Sequence, residues 1–300
     1  MEDKKLNTIE KHWTDNSLKL FMISVTVLSL IVETVLILTG IGILTLLMMW
    51  TPAICAFIAN IVSLKEKKEK ITFRNLFGDL GFRSSKFIYL LLGVIIPFIY
   101  LLIPYMIYWN RYPENFAYNG VALSLIIKDC GPVMIVGTVM GLLSATGEEI
   151  GWRGYMVPAF LERIGLIKTL LFTSLYWVCW HLPILIFGGY MAETPLWYRI
   201  PAFMLCIIPI GIIAGLLAYK SKSVWPSALL HAAHNNYDQS IFSVISRGEK
   251  LMFYASETGI FTIIFAWIFA VIMLVYTLKT EKRNRIKGNN HVHKYRSEQE

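Results

Sequence analysis

The protein has 300 residues, of which 56% are hydrophobic and only 16% are charged, whereas a soluble globular domain has about 25% charged residues. This composition excludes an ordinary soluble enzyme and predicts an all-α polytopic protein embedded in the cell membrane. The net charge of +8 does not indicate nucleic-acid binding, because the cations lie in segments that flank apolar runs.

Apolar runs long enough to cross a bilayer recur along the chain. A spanning helix needs about 20 mostly apolar residues, and this length predicts about eight transmembrane helices. They cover residues 18–40, 43–64, 87–108, 130–161, 167–187, 200–219, 224–243 and 260–278. Between the second and the third, residues 71–83 form either an interfacial helix on the inner membrane surface or a plain connector.

These helices divide the chain into four regions. Residues 1–129 form an N-terminal membrane region of about three helices with the interfacial segment. Residues 130–243 form a core, residues 244–279 contain the last transmembrane helix, and residues 280–300 form a basic tail whose composition predicts disorder. Four cysteines lie inside apolar runs and are expected to be free thiols; they are Cys55, Cys130, Cys179 and Cys206.

Lysine and arginine residues are distributed unevenly around the helices. With the amino terminus inside, most of them lie in inner segments, and the outer loops contain only Arg111, Arg199, Arg247 and Lys250. Cytoplasmic loops of membrane proteins are enriched in positive residues. We therefore expect both termini to be cytoplasmic.

The strongest break in the apolar pattern lies in the fourth span, which contains Glu148, Glu149 and Arg153. A charge at membrane depth is costly, so such groups usually face a cavity or a partner and usually have a function. Glu149 and Arg153 are four residues apart on one helix face, which predicts an ion pair. Glu148 is rotated away from that face and is left without this partner. A structural ion pair near the membrane surface explains these residues equally well.

Two later spans also contain polar residues. The fifth contains Trp177 and His181, and the seventh contains His231 and Asn235, which share a helix face. His234 either flanks that face or forms hydrogen bonds elsewhere. Each set alone is typical of hydrogen bonding between membrane helices. Polar groups on three helices together favour a polar cavity.

Three chemistries fit such a cavity to different degrees. Two histidines and a carboxylate would suffice for zinc, but the pattern His-Glu-x-x-His is absent, so zinc is the less favoured alternative to a site without a cofactor. A serine or cysteine nucleophile needs a base beside it, and neither Ser227 nor Cys179 lies in a strained turn. A carboxylate and an imidazole that activate water, with histidine and asparagine as oxyanion donors, fit best.

The order of the polar motifs resembles that of a known family. The motifs are Glu148-Glu149-x-x-x-Arg153, Trp177-x-x-x-His181 and His231-x-x-x-Asn235. They are similar to those of the CAAX protease and bacteriocin-processing family of intramembrane proteases, also called type II CAAX endopeptidases, and the resemblance covers about residues 130–243. Trp177 stands where the family often has phenylalanine, and an exchange of one aromatic residue for another should preserve packing.

The resemblance implies a role for each matching residue. Glu148 corresponds to the glutamate that activates water, and His181 to a histidine that helps to hold this water. His231 and Asn235 correspond to the pair that stabilises the oxyanion. The positions that support the site are Glu149, Arg153 and Trp177. Eukaryotic members remove the last three residues of prenylated CAAX proteins, and other relatives are linked to bacteriocin maturation, self-immunity or peptide-signal processing.

The resulting hypothesis is an intramembrane endopeptidase that acts on a membrane-associated peptide or a lipid-anchored protein. The lipid bilayer is its other partner, and nucleic acid is not one. We expect the cavity to open toward the inner face of the membrane. The alternatives are a non-enzymatic bacteriocin-immunity or scaffold protein and a zinc-dependent membrane protease.

Overall fold

The computed structural model of the protein describes residues 12–297, with the side chains of residues 285 and 287–297 excepted. Within this range strand pairing is limited to one isolated bridge, between Phe116 and Ser246. The helices are α1 (Asp15–Thr39), α2 (Ile43–Glu66), α3 (Phe73–Gly78), α4 (Phe87–Arg111), a 3-10 turn (Pro113–Asn115), α5 (Leu123–Glu149), the π-helix π1 (Ile150–Met156), α6 (Val157–Ile164), α7 (Leu166–Phe187), α8 (Leu196–Ser221), α9 (Trp225–Asn235), the π-helix π2 (Asn236–Phe242), α10 (Leu251–Tyr254) and α11 (Ile260–Ser297). The all-α prediction is confirmed.

Seven helices in the described range are long and apolar enough to cross a membrane. They are α1, α2, α4, the continuous helix Leu123–Ile164, α7, α8 and the first part of α11 (Ile260–Asn284). The remaining predicted span, residues 224–243, is helical in α9 and π2 but is not among the seven. It packs against α4, α5 and α8. The chain is a multi-pass membrane protein.

Local signals account for several helix ends. Thr14 caps α1 by accepting a hydrogen bond from the backbone N–H of Ser17, and Gly40 ends the helix in the left-handed conformation. Thr72 and Asn75 form a capping box at the start of α3. The segment 71–83 therefore contains a helix of 6 residues followed by turns, which lies between the two predicted interpretations.

Glycine allows α2 to approach the α5–π1 junction closely. A Cβ atom at Gly147 would lie 2.7 Å from the carbonyl oxygen of Met49, and one at Gly151 would lie 2.3 Å from Cβ of Pro52. Any larger residue at these two positions would force α2 away. This contact fixes the position of the acidic residues between the two glycines.

The described part of the tail is helical. Helix α11 continues through Ser297, so the expectation of disorder is wrong for residues 280–297. Lysine, arginine and glutamate favour helix, and a helix that is already formed in the membrane extends without a new nucleation step. All four cysteines are free, as predicted.

The bundle has two ends, and we name them by their landmarks. The start of α1, the end of α2 and the end of α6 meet through hydrogen bonds of Asn16 with Glu66 and of Arg163 with Asp15. We call this end the terminal face. At the opposite end, the loop after α7 meets the loop before α11 through Tyr190 and Glu257. We call that end the distal face.

Candidate active site

Two tryptophans hold the carboxylate of Glu148, which lies at the end of α5. Trp177 of α7 donates from Nε1 to Oε2 of Glu148 at 2.7 Å, and Trp152 of π1 donates to the same oxygen at 3.3 Å. Glu148 is only 1% exposed. Because both donors use Oε2, the other carboxylate oxygen keeps its capacity to accept a proton or a hydrogen bond.

Glu149 connects two cationic or polar partners through one oxygen. Its Oε1 accepts hydrogen bonds from Nη1 of Arg153 at 2.8 Å and from Nδ1 of His231 at 3.0 Å, and all three side chains are buried. The predicted pairing of Glu149 with Arg153 is present. The bond from His231 was not predicted, and it fixes the imidazole with Nδ1–H toward the carboxylate.

Trp177 lies at the centre of the polar group. Its ring lies 4.4 Å from Cζ of Arg153, and its centroid lies 5.3 Å from that of His231 and 5.6 Å from that of His181. Nδ1 of His181 donates to the backbone carbonyl of Trp177 at 2.8 Å. A carbonyl only accepts, so Nε2 of His181 is the acceptor nitrogen.

A single cavity brings the predicted catalytic side chains together. It has a volume of about 160 Å³, roughly ten times the space that one water molecule needs. Its lining includes Glu148, His181, His231 and Asn235, with Trp177 beside them. The three helices that were predicted to contribute polar groups therefore do so at one place.

Two of the three helices that carry motif residues, α5 and α9, change from α to π geometry at the site. Helix α5 becomes π1 directly after Glu149, and α9 becomes π2 directly after Asn235. π-Helical segments occur mostly as short insertions at functional sites. The wider π turn rotates the side chains that follow Glu149 and Asn235, and this change was not predicted from the sequence.

The cavity extends toward the distal face. Besides the motif residues, it is lined by Thr45 and Met48 from the start of α2, and by Tyr190 and Glu257 from the distal loops. On the other side of the Glu149–Arg153 pair, a separate pocket at the terminal face is lined by Arg153. The expectation of a cavity opening toward the inner face thus conflicts with cytoplasmic termini, because the cavity lies on the side away from the terminal face.

Comparisons with known proteins agree with this arrangement. Residues 131–237 match the family described as Type II CAAX prenyl endopeptidase Rce1-like. This match lies within residues 130–243, for which the family resemblance was predicted. CAAX prenyl protease 2 of Methanococcus maripaludis is similar, with 30% identity over 131 residues, which are 42% of this chain and 46% of that protein. The chain thus aligns with about half the length of this relative.

We call the matching region the CAAX-protease-like core. It contains every motif residue and the two points at which α5 passes into π1 and α9 passes into π2. It leaves out α1, α2 and α11, although α2 packs on α5 and contributes Thr45 and Met48 to the cavity. The first two turns of α2 are therefore part of the site's wall.

Trp177 does more than preserve packing in the CAAX-protease-like core. Its indole N–H forms the shorter of the two hydrogen bonds to Glu148, and phenylalanine has no such donor. The expectation that the aromatic exchange matters little is therefore incomplete. Trp152, the second donor, was not selected from the sequence, although its spacing of four residues from Glu148 is the helical signal that could have found it.

We expect Trp177→Phe to lower kcat for peptide hydrolysis by about 10- to 100-fold, since a hydrogen bond to a charged group contributes about 1.5–3 kcal/mol. Steady-state cleavage of a peptide by the purified variant measures this loss. Trp267→Phe is the matched control, because Trp267 donates to the carbonyl of Leu205 away from the site. Equal activity of Trp177→Phe and wild type would show that the indole N–H does not orient Glu148.

The zinc alternative finds no ligand set in residues 12–297. No group of three or more His, Cys, Asp or Glu side chains in this range is arranged to hold a metal ion. We expect the reaction to need no metal ion, and metal analysis of active protein would check this prediction.

Proposed function

We propose that the protein is an intramembrane CAAX-type endopeptidase that hydrolyses peptide bonds of membrane-associated peptides or lipid-anchored proteins. The observation that carries the proposal is the convergence of Glu148, His181, His231 and Asn235 on one cavity. The cavity lies inside the region that matches the Rce1-like family. The similarity to a named CAAX prenyl protease supports the same reaction class.

The proposed reaction begins with a water molecule between Glu148 and His181. Nε2 of His181 accepts a hydrogen bond from this water, and the unshared carboxylate oxygen of Glu148 removes a proton from it. The water oxygen then forms a bond to the peptide carbonyl carbon. The indole donors on Oε2 keep the carboxylate in one orientation during this step.

His231 and Asn235 stabilise the oxyanion that forms. Nδ1–H of His231 is already engaged by Glu149, so His231 donates from Nε2 as an imidazolium, which the Glu149 carboxylate stabilises. The side-chain amide of Asn235 supplies a second donor. When the C–N bond breaks, the proton held by Glu148 passes to the leaving nitrogen. The products are a peptide with a new carboxyl group and a peptide with a new amino group.

Hydrolysis in oxygen-18-labelled water tests the reaction. Purified protein in lipid nanodiscs would be given a farnesylated CAAX peptide and the same peptide without lipid. We expect one labelled oxygen atom in the new carboxyl group from the first turnover onward, because water attacks the carbonyl directly. Absence of cleavage, or an unlabelled product in the first turnover, would contradict this mechanism.

We also propose that the termini lie in the cytoplasm of a cell whose plasma membrane holds the protein, so that the cavity faces outward. The distribution of lysine and arginine supports this orientation. The substrate would then reach the site from the distal face. This placement favours an exported or outer-leaflet peptide over a cytosolic one.

Cysteine labelling in intact cells should reveal this orientation. In a variant whose four native cysteines are replaced, Glu193→Cys lies in the distal loop and Lys65→Cys at the terminal face, and both positions are exposed. We expect a membrane-impermeant maleimide to label the first in intact cells and the second only after permeabilisation. The reverse pattern would place the cavity on the cytoplasmic side.

A further inference from the structure

A second group of polar side chains lines the cavity at its distal end. Tyr190, His234, Gln239 and Glu257 belong to it, and we call it the mouth cluster. Tyr190 and Glu257 come from the distal loops, His234 from α9 and Gln239 from π2. The reaction proposed above uses none of them.

Glu257 is the anchored carboxylate of the mouth cluster. Its Oε2 accepts a hydrogen bond from the hydroxyl of Tyr190 at 2.7 Å, and its Oε1 accepts one from Nε2 of Gln239 at 3.0 Å. Glu257 is 1% exposed. A buried carboxylate is stable only when partners satisfy it, and these neutral donors hold it without cancelling its charge.

His234 faces Glu257 across the mouth cluster. Its Nδ1 lies 2.9 Å from the hydroxyl of Tyr100, and in the tautomer in which Nδ1–H donates to that hydroxyl, Nε2 carries a lone pair. This Nε2 is buried and has no hydrogen-bond partner among the described residues, and it lies 3.4 Å from Oε1 of Glu257. In that tautomer the two facing acceptors need a donor between them, whereas in the other tautomer Nε2–H itself faces the carboxylate.

The rest of the lining suits a long basic side chain. Among the described residues that line the cavity, two are carboxylates, Glu148 and Glu257, and none is lysine or arginine. An apolar wall that includes Met48, Ile184 and Phe203 stands beside them. Lysine and arginine place their methylene chains along apolar surfaces and their charged ends at polar groups.

We propose that the mouth cluster is a binding subsite for a lysine or arginine side chain of the peptide substrate, held between Glu257 and His234. The inference rests on the proposed endopeptidase function and adds a substrate preference to it. The cationic head donates to Oε1 of Glu257 and to Nε2 of His234, while the exposed Gln239 lies at the entrance. The same peptide then reaches Glu148, because both carboxylates line one cavity.

Paired peptides test the subsite in the full-length protein in nanodiscs. Each pair differs only by lysine or glutamine at one position, scanned along an amphipathic peptide, with free and acetylated amino termini. At one position we expect the lysine peptide to have a kcat/KM about 10- to 100-fold higher than its glutamine partner. A preference that depends on the free amino terminus and not on lysine would overturn the proposal.

Two variants separate the subsite from folding effects. Glu257→Gln should reduce the lysine-to-glutamine ratio to within about threefold of one. Gln239→Lys, at an exposed position that tolerates change, should do the same by placing its own ammonium group in the subsite. Glu193→Gln removes a carboxylate from the same face outside the cavity and should retain the wild-type ratio. An unchanged ratio in Glu257→Gln would contradict the subsite.

Peptide binding distinguishes failure of the subsite from failure of the proposed reaction. The affinity of fluorescent lysine and glutamine peptides for Glu148→Gln protein requires no turnover. A lysine preference that disappears in Glu148→Gln/Glu257→Gln supports the subsite even if wild type hydrolyses no peptide. Equal affinities of both peptides for Glu148→Gln would overturn the subsite, whether or not wild type is active.

Discussion

Glu148→Gln should lower kcat/KM for peptide hydrolysis by about a thousandfold or more, which lies within the range expected for loss of a general base. Glutamine has nearly the same shape, and its carbonyl oxygen accepts from the indole of Trp177 as the carboxylate does. It cannot take a proton from water. Cleavage rates of the purified variant measure the loss, and thermal unfolding in detergent shows that the fold is retained.

A matched control for this variant is Glu33→Gln. Glu33 is also a buried intramembrane glutamate, with 1% exposure, but it lines a different cavity, between α1 and α7. We expect its hydrolysis rate to stay within about threefold of wild type. Normal hydrolysis by Glu148→Gln would contradict the assignment as an enzyme that uses Glu148. Full immunity conferred by Glu148→Gln in cells would favour the immunity or scaffold alternative.

The transmembrane helices could be predicted because each one is a long apolar run with few charges. Their ends were less accessible. Helix α5 begins at Leu123 and not at residue 130, since Lys128 and Asp129 are accommodated within the helix and Asp129 accepts a hydrogen bond from Tyr118. The composition suggests a helix end where two charged residues precede an apolar run. Whether the helix ends there depends on the side-chain hydrogen bonds of those residues.

The convergence of three helices on one cavity could be predicted, but the individual contacts between helices could not. The pairing of Glu149 with Arg153 follows from their spacing. The contact of Glu149 with His231 depends on the register of α5 relative to α9, that is, on which residues of the two helices lie at the same height. That register is fixed by close backbone contacts, such as Gly141 in α5 against Ala232 in α9, which spacing along one chain does not reveal.

The mouth cluster was missed for a related reason. Tyr190 and Glu257 lie in loops that are 67 residues apart in sequence, and no periodic pattern connects them. His234 is the member that the sequence did single out, as a neighbour of His231. It lies three residues after His231, beside the motif face, and lines the same cavity, but its partners belong to α4 and to the distal loop.

Glu149→Ala should have the second large effect, on stability and activity together. It leaves the guanidinium of Arg153 buried at 4% exposure without its carboxylate, and breaking a buried ion pair costs about 3–5 kcal/mol. It also removes the acceptor of Nδ1–H of His231. We expect a strongly lowered unfolding temperature in detergent and activity near background.

A double variant separates these two consequences. Glu149→Leu with Arg153→Met replaces the pair by apolar residues of similar size, which is often neutral or stabilising in a buried site. We therefore expect the unfolding temperature to return close to that of wild type. Activity should remain about 100-fold or more below wild type, because His231 no longer has a carboxylate that orients it and stabilises its imidazolium form.

The division between kcat and KM identifies Glu149 as a positioning residue in this comparison. Oxyanion donors act mainly in the transition state, so the double variant should lose kcat with little change in KM. Recovery of kcat along with stability would show that Glu149 serves only to neutralise Arg153. Loss of kcat in a stable protein would instead mean that the buried carboxylate of Glu149 positions both Arg153 and His231.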